Sequence, residues 1–365
     1  MTSINATSYN PYYDNSYAGT VAAANAAKAG QTTSAPGTAT AAGFDQATDI
    51  VLSDAAKAVL AGKDFTTIST DMRQTLDGLL SDAGLSSPYK DGALAIDLTT
   101  IDRRSLYAMA SNGGDLFNAE EQKAAKSELA RRFDAALAGP AAVARITGDL
   151  TDLYAAGAAH MDGASAEEKA SLVWIAQRAA LTEAQAAVKN DPGSLPNVAN
   201  DPVANYLVRA ETGEVDQPRP FDSVARDVRV VLDKQYADAR AGGAANPKPD
   251  YGQFGSRSLA AIVLNQGSLF SDAEIMSAKG EMRTRSSATL LACSTEAGKS
   301  GDPTALAKNI ISAFASLSVE ERAAAGWSEA LYQTALSNYE SSAKLAQMFG
   351  TSEASAGAKT LLSFL

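Results

Sequence analysis

Behind the stretch "LFNAEE", the apolar residues Ala125, Leu129, Phe133, Ala136 and Leu137 fall three and four positions apart. That spacing places them on one face of a helix and predicts an amphipathic element buried along one side. Asn118 stands three residues before Glu121, a near form of the capping box, with Phe117 at the preceding staple position. "LFSDAE" repeats the arrangement with Phe270, Ser271 and Glu274; Ala278, Met282 and Leu290 hold the same helical face behind it, and Ser286 replaces the phenylalanine. Gly139-Pro140 is expected to stop the first of these helices. "SAEEKASLVW" and "SVEERAAAGW" supply two further capping boxes, Ser165 with Glu168 and Ser318 with Glu321. Each places a tryptophan, Trp174 or Trp327, six residues after the glutamate on the body of the helix it begins, where core anchoring is expected in preference to partner binding. No run of alternating strand residues interrupts these patterns, so the fold class expected is all-α.

The matching stretches belong to a longer duplication. A shift of 153 lays residues 104–132 on 257–285 with 13 identities, among them Arg104/Arg257, Asn112/Asn265, Glu128/Glu281 and Arg132/Arg285. Average residue usage gives roughly two by chance. "DMRQTLD" at 71–77 matches "DVRVVLD" at 227–233 at a shift of 156. The unit is much longer than a solenoid repeat, so each copy is expected to be a domain or half-domain. The division expected is a low-complexity arm over 1–48, a short amphipathic helix within 49–63, one helical copy over 64–190, a Pro/Asn/Asp-rich connector over 191–220, the second copy over 221–350, and an extension over 351–365. The i,i+4 pairs Glu128/Arg132 and Glu281/Arg285 are expected on solvated faces.

The arm is nearly uncharged and rich in Ala, Ser, Thr, Asn and Gly, which predicts disorder, because it has little apolar surface to offset ordering entropy. Tyr9, Tyr12, Tyr13 and Tyr17 cluster near its start as candidate adhesive points. After it, Ser53 is a helix cap, 55–61 a short helix and Gly62 a stop. With Leu52 and Leu60 on its apolar side, this helix suits either a docking peptide or the first helix of the folded body.

Composition narrows the function classes. Hydrophobic residues make up 45% of the 365 residues and charged residues 20%, a globular mixture, and alanine is heavily used. The net charge of −11 argues against nucleic acid or an anionic membrane surface as partner. No apolar run is long enough to predict membrane insertion. One cysteine, Cys293, excludes an internal disulfide, and one histidine, His160, excludes a multi-histidine metal site. The start of the chain lacks the basic and apolar regions of a Sec signal, so the expected location is cytoplasmic, with export by a Sec-independent route as the alternative.

Candidate chemistry is sparse. "CSTEAGKS" at 293–300 ends like a phosphate-binding loop, but Cys293 stands in the first glycine position and no strand precedes it. "SNGGDLFNAEE" lacks the early oxygen ligands of a calcium loop and reads as a turn between helices. His160 has no nucleophile context and reads as a helix-end or surface residue, while Cys293 sits in an apolar helical setting. No catalytic residue, cofactor or metal ligand is therefore expected, and an enzyme built from dispersed carboxylates is the least supported reading.

Two short stretches carry a resemblance. "MTSIN" at 1–5 resembles the start of flagellins from rhizobia and their relatives, and "DIVLSDAAKAVL" at 49–60 is similar to segments of the flagellar anti-sigma factor family. The resemblance implies an alphaproteobacterial origin and traffic with a flagellar-type export apparatus. It carries over no site residue. The function expected is a non-enzymatic helical interaction or regulatory protein with a protein partner.

Overall fold

The computed structural model describes residues 62–213 and 219–350; the expectations for the arm, for Tyr9, Tyr12, Tyr13, Tyr17, Leu52 and Leu60, and for the extension lie outside them. The described chain is mostly helical. It opens with α1 (Phe65–Ala83), whose first turn is capped by Asp64 accepting from the Thr67 amide. A two-residue hairpin, β1 (Tyr89–Lys90) with β2 (Ala93–Leu94), follows. Its turn residues Asp91 and Gly92 both have positive φ, the conformation that an Asp-Gly hairpin turn requires. Then come α2 (Arg103–Ala110), a 3-10 turn at Gly113–Asp115, the long α3 (Ala119–Thr147), α4 (Thr151–Asp162), the single-turn α5 (Ala166–Lys169), α6 (Leu172–Asn190) and α7 (Pro202–Thr212). The remaining chain forms α8 (Phe221–Ala241), a 3-10 turn at Tyr251–Gln253, α9 (Ser256–Leu264), a second long helix α10 (Asp272–Ser300), α11 (Ala305–Ser316), α12 (Val319–Ala325) and α13 (Glu329–Gly350).

Three apolar cores hold these elements. Met72, Leu76, Leu98, Leu106 and Phe117 join α1, α2 and the start of α3. Leu137, Leu153, Leu181 and Val203 join the rest of α3 to α4, α6 and α7. The third gathers Val224, Leu232, Leu259, Phe270 and Trp327 from α8 onward. The stretch expected only as a connector thus contains α7, which buries Val203 and Tyr206 in the second of these cores. A seam joins the two halves where α3 lies along α11, with Val143, Ile311 and Ala335 at its centre.

Gly139-Pro140 does not end a helix, contrary to expectation. α3 runs eight residues on from Gly139 to Thr147, and the left-handed Gly148 caps it. Pro140 costs the helix one backbone hydrogen bond, and packing holds the helix through it. Gly139 instead permits close approach at the seam. A Cβ there would lie 2.7 Å from the Ser312 carbonyl oxygen and nearer still to the Ser312 hydroxyl.

The Glu128/Arg132 pair is also not on a solvated face. Glu128 is buried and accepts from both Arg131 and Arg132, at 2.7 and 2.9 Å. Arg132 donates onward to the carbonyls of Leu98, Thr99 and Ile101, so it clamps α3 to the loop that follows the hairpin. Arg285 makes the matching bond to Glu281 and one to the Gly252 carbonyl, but both members of that pair stay about a third exposed. Three loop carbonyls converge on the side chain that is buried. That convergence, invisible in helical spacing, is why the first pair left the surface.

Two predictions follow from these contacts. Arg132→Met is expected to lower unfolding free energy by about 3 kcal/mol, because it strands Leu98, Thr99 and Ile101 carbonyls and weakens a buried ion pair. Arg285→Met is expected to cost less than about 1 kcal/mol. Urea denaturation of both variants checks the contrast. Gly139→Ala, a helix-favouring change at an exposed site, is here expected to destabilise by about 1–3 kcal/mol through overpacking. A melting midpoint at or above that of the unaltered protein would contradict the close approach.

Candidate functional site

Each predicted cap among the described residues is made, though not all as full boxes; Ser53 lies outside them. Asn118 and Ser271 form complete capping boxes with Glu121 and Glu274. Ser318 does so with Glu321. Ser165 accepts from the Glu168 amide, but the Glu168 carboxylate is held by Arg103 at 2.7 Å, so that box stays half-made. The tryptophans do not sit on the bodies of those helices. Ser165 begins only the single turn of α5, and Ser171 caps a new helix in whose first turn Trp174 lies. Trp327 follows the left-handed Gly326 that ends α12. Both nonetheless pack inward. Trp327 is buried, and Trp174 is part-buried with its indole nitrogen donating to the Met161 carbonyl at 3.0 Å.

Phe117 and Phe270 are buried beneath arginines of the preceding long helices. Arg73 stacks over Phe117 at 5.5 Å and bonds Glu121 at 2.9 Å; Arg229 stacks over Phe270 at 5.7 Å and bonds Glu274 at 2.9 Å. These residues build the fold and do not converge on a shared concavity.

A concavity lies along the seam. A cleft of about 720 Å³ opens between the hairpin and α3 on one side, and the starts of α8, α9 and the α11–α12 loop on the other. That volume suits a small organic molecule. Ser127, Arg131, Ala135 and Ala138 line it from one face of α3, spaced three and four apart. Leu94, Leu98, Val224 and Leu317 give it apolar walls, and Lys123 lies over the Tyr89 ring at 5.3 Å.

Its carboxylates already have structural partners. Glu128 is burdened by burial, yet Arg131 and Arg132 hold it below the ordinary carboxylate range. Asp134 pairs with Arg209 at 2.7 Å. Asp97 accepts from the Thr99 amide and hydroxyl. Glu321 is different: burial raises its pKa, and the bond from the Ser318 amide offsets this only in part.

The cations are less satisfied. Arg219, just before α8, is 7% exposed; one terminal nitrogen donates to the Ala95 carbonyl and to Asp227, while Nε and Nη1 have no hydrogen-bond partner. Arg257 stacks over Phe221 at 5.5 Å, its Nε likewise lacks an acceptor, and Glu320 stands 3.5 Å from its other end. Gly255 begins α9 with no side-chain cap, and Gly255 to Ser258 line the cleft. The position matching Gly255 at the 153 shift is Asp102, which caps α2 by accepting from the Ser105 amide.

The capping pattern singled out Ser318 and Glu321, and the 153 shift Arg257, but neither grouped them with Arg131 and Arg219. The glycine at 255, set against the capping Asp102 by the 153 shift, was a visible signal. Arg219 lies between the repeated stretches and gave none.

The remaining sequence candidates lie elsewhere. The 293–300 stretch is the end of helix α10, so it cannot cradle a phosphate. Cys293 is buried, and burial pushes its thiol up to about 11. His160 is in the last turn of α4, edge-on to Phe133 at 5.4 Å. Among the described residues, no group of three or more His, Cys, Asp or Glu is placed to hold a metal ion, and no helix is long and apolar enough to cross a membrane. No known protein family, curated protein or solved structure matches the chain.

Burial, and then the nearby charges of Arg103 and Arg132, lower the His160 pKa from 6.5 to about 3. The unfolded chain therefore takes up a proton at this position below pH 6.5 that the folded chain refuses until about pH 3. Stability from this group is complete above pH 6.5 and declines as pH falls through that window. Urea midpoints at pH 7.5 and 5.0 are expected to differ more for the unaltered protein than for His160→Gln. Equal differences in the two proteins would contradict the part-buried, neutral imidazole.

Proposed function

We propose that this chain is a non-enzymatic helical interaction or regulatory protein, built from two copies of one helical unit and bound by a protein partner. The observation that carries the reading is an apolar edge at the start of α6. Leu172, Val173 and Ile175 are 84%, 66% and 49% exposed, while Trp174 between them turns inward. Three large apolar side chains left in water within four positions suit coverage by another protein surface. At the 153 shift the second copy has Ala325, Gly326 and Ser328, so only the first unit carries this edge.

The two-copy reading draws support from matched contacts. The long helices α3 and α10 are each 29 residues, and the helices after them each 12. Arg73 bonds Asp77 and Glu121, as Arg229 bonds Asp233 and Glu274. Arg104 pairs with Glu167, as Arg257 pairs with Glu320. Asn112 and Asn265 are both left-handed, and each side-chain oxygen accepts from the phenylalanine amide five residues on.

The flagellar resemblance of 1–5 and 49–60 favours a partner in the motility system, and export without a cleaved signal is the second reading that it supports. Affinity purification from the native host, with crosslinking, compares the unaltered chain with a Leu172→Glu, Val173→Glu double variant. One dominant partner is expected with the former and is lost with the latter. A partner retained by the folded double variant, or a partnerless monomer, would count against this surface. Appearance of tagged protein in the medium only when flagellar export is intact would favour the second reading.

A further inference from the structure

We propose that the seam cleft binds a small organic oxyanion, a carboxylate or phosphate monoester carried on an apolar body. This goes beyond the partner reading and does not depend on it, since the apolar edge of α6 is not part of the cleft lining.

Three independent features converge. The first amides of a helix have no acceptor within the helix, and they attract anions when no side chain caps them. α9 begins in that condition: Gly255 offers no capping oxygen, and Ser256, Arg257 and Ser258 line the cleft. Second, Arg219 also lines the cleft, buried, with two guanidinium nitrogens lacking acceptors. The Asp97 carboxylate stands 3.8 Å from Nη1, at ion-pair distance but beyond hydrogen-bond reach. Buried donors of this kind are costly unless something accepts from them. Third, Arg257 brings a guanidinium from the same helix start, with its Nε also unsatisfied.

The acids nearest these donors are engaged: Asp227 bonds one terminal nitrogen of Arg219, Glu320 stands 3.5 Å from one terminal nitrogen of Arg257, and the Asp97 carboxylate, 3.8 Å from Arg219 Nη1, accepts from Thr99. Glu128 and Asp134 are each bonded to arginines, and Glu321 is bonded to the Ser318 amide as a cap. The walls select the rest of the ligand. Leu94, Leu98, Val224 and Leu317 are apolar, and the volume of about 720 Å³ leaves room for a chain or ring beyond the charged head.

The test uses the full chain and four probes: sodium octanoate, octyl phosphate, inorganic phosphate and 1-octanol, measured by isothermal calorimetry at low salt. Octanoate or octyl phosphate is expected to bind, with 1-octanol weaker on the order of tenfold or more because it brings no charge to the donors. Whichever of the first two binds more tightly distinguishes a carboxylate from a phosphate source. Gly255→Asp is the decisive variant. Gly255 has φ −63° and open space around its missing Cβ, so aspartate fits there and can cap α9 as Asp102 caps α2. Its melting midpoint is expected unchanged or slightly raised while anion binding is lost. Ser256→Pro is a second variant. Proline is favoured in the first helical position, and this one removes a cleft-facing amide, weakening binding without unfolding the protein.

Failure of both octyl anions to bind the unaltered chain would overturn the proposal. So would full binding by Gly255→Asp, or 1-octanol binding as tightly as octanoate. Inorganic phosphate matching octyl phosphate would overturn the apolar body of the ligand. None of these outcomes bears on partner capture at Leu172 and Val173, so the two readings fail separately.

Discussion

Two glutamates buried at helix starts, Glu121 and Glu274, set the condition that most of this architecture meets. Each side chain is 5% exposed, and an ionised carboxylate so placed is tolerable only if hydrogen bonds and a cation surround it. The backbone amide of the capping residue supplies one bond, at 2.8 Å from Asn118 and 2.7 Å from Ser271. An arginine from the earlier helix supplies the charge, and its planar face covers the staple phenylalanine. One side chain therefore fixes three things together: where the long helix begins, how the preceding helix crosses it, and which ring closes the core between them. Glu274 is held below the ordinary carboxylate range against its burial, as this arrangement requires.

The seam has a different character. Small residues make its close approach, Gly139 against Ser312 and Ser316, beside the apolar centre at Val143, Ile311 and Ala335. The helix faces meet closely along α3 and α11 and diverge beside the hairpin, which leaves the cleft. The uncapped start of α9 and guanidinium nitrogens of Arg219 and Arg257 without hydrogen-bond acceptors line it, although both arginines also pair with acids, Asp227 and Glu320. The apolar edge of α6 is a separate feature, outside the cleft lining.

The all-α class was legible because caps and helical spacing are local signals, and Asn118, Ser271 and Ser318 announced their helices correctly. The hairpin was not read, because two-residue strands are too short to alternate; its only sign was Asp91-Gly92. Gly139-Pro140 looked like a stop because spacing along one helix says nothing of the helix packed against it. Arg132 looked like a surface residue for the same reason, as the carbonyls it binds lie some thirty positions away. The cleft was least legible. It is assembled from α3, the residues around Arg219, the start of α9 and the α11–α12 loop, and its one sign in the sequence was a glycine at 255 where the 153 shift sets the capping Asp102.

The account rests most heavily on the two arginine–glutamate latches, and a pair of double-mutant cycles tests them directly. Arg73→Met, Glu121→Gln and the double variant form one cycle; Arg229→Met, Glu274→Gln and their double variant form the other. Unfolding free energies in urea are expected to give coupling of about 1–3 kcal/mol in each, in the range for partners that share a network. Coupling near zero in both cycles would contradict the claim that these buried carboxylates organise the helices around them.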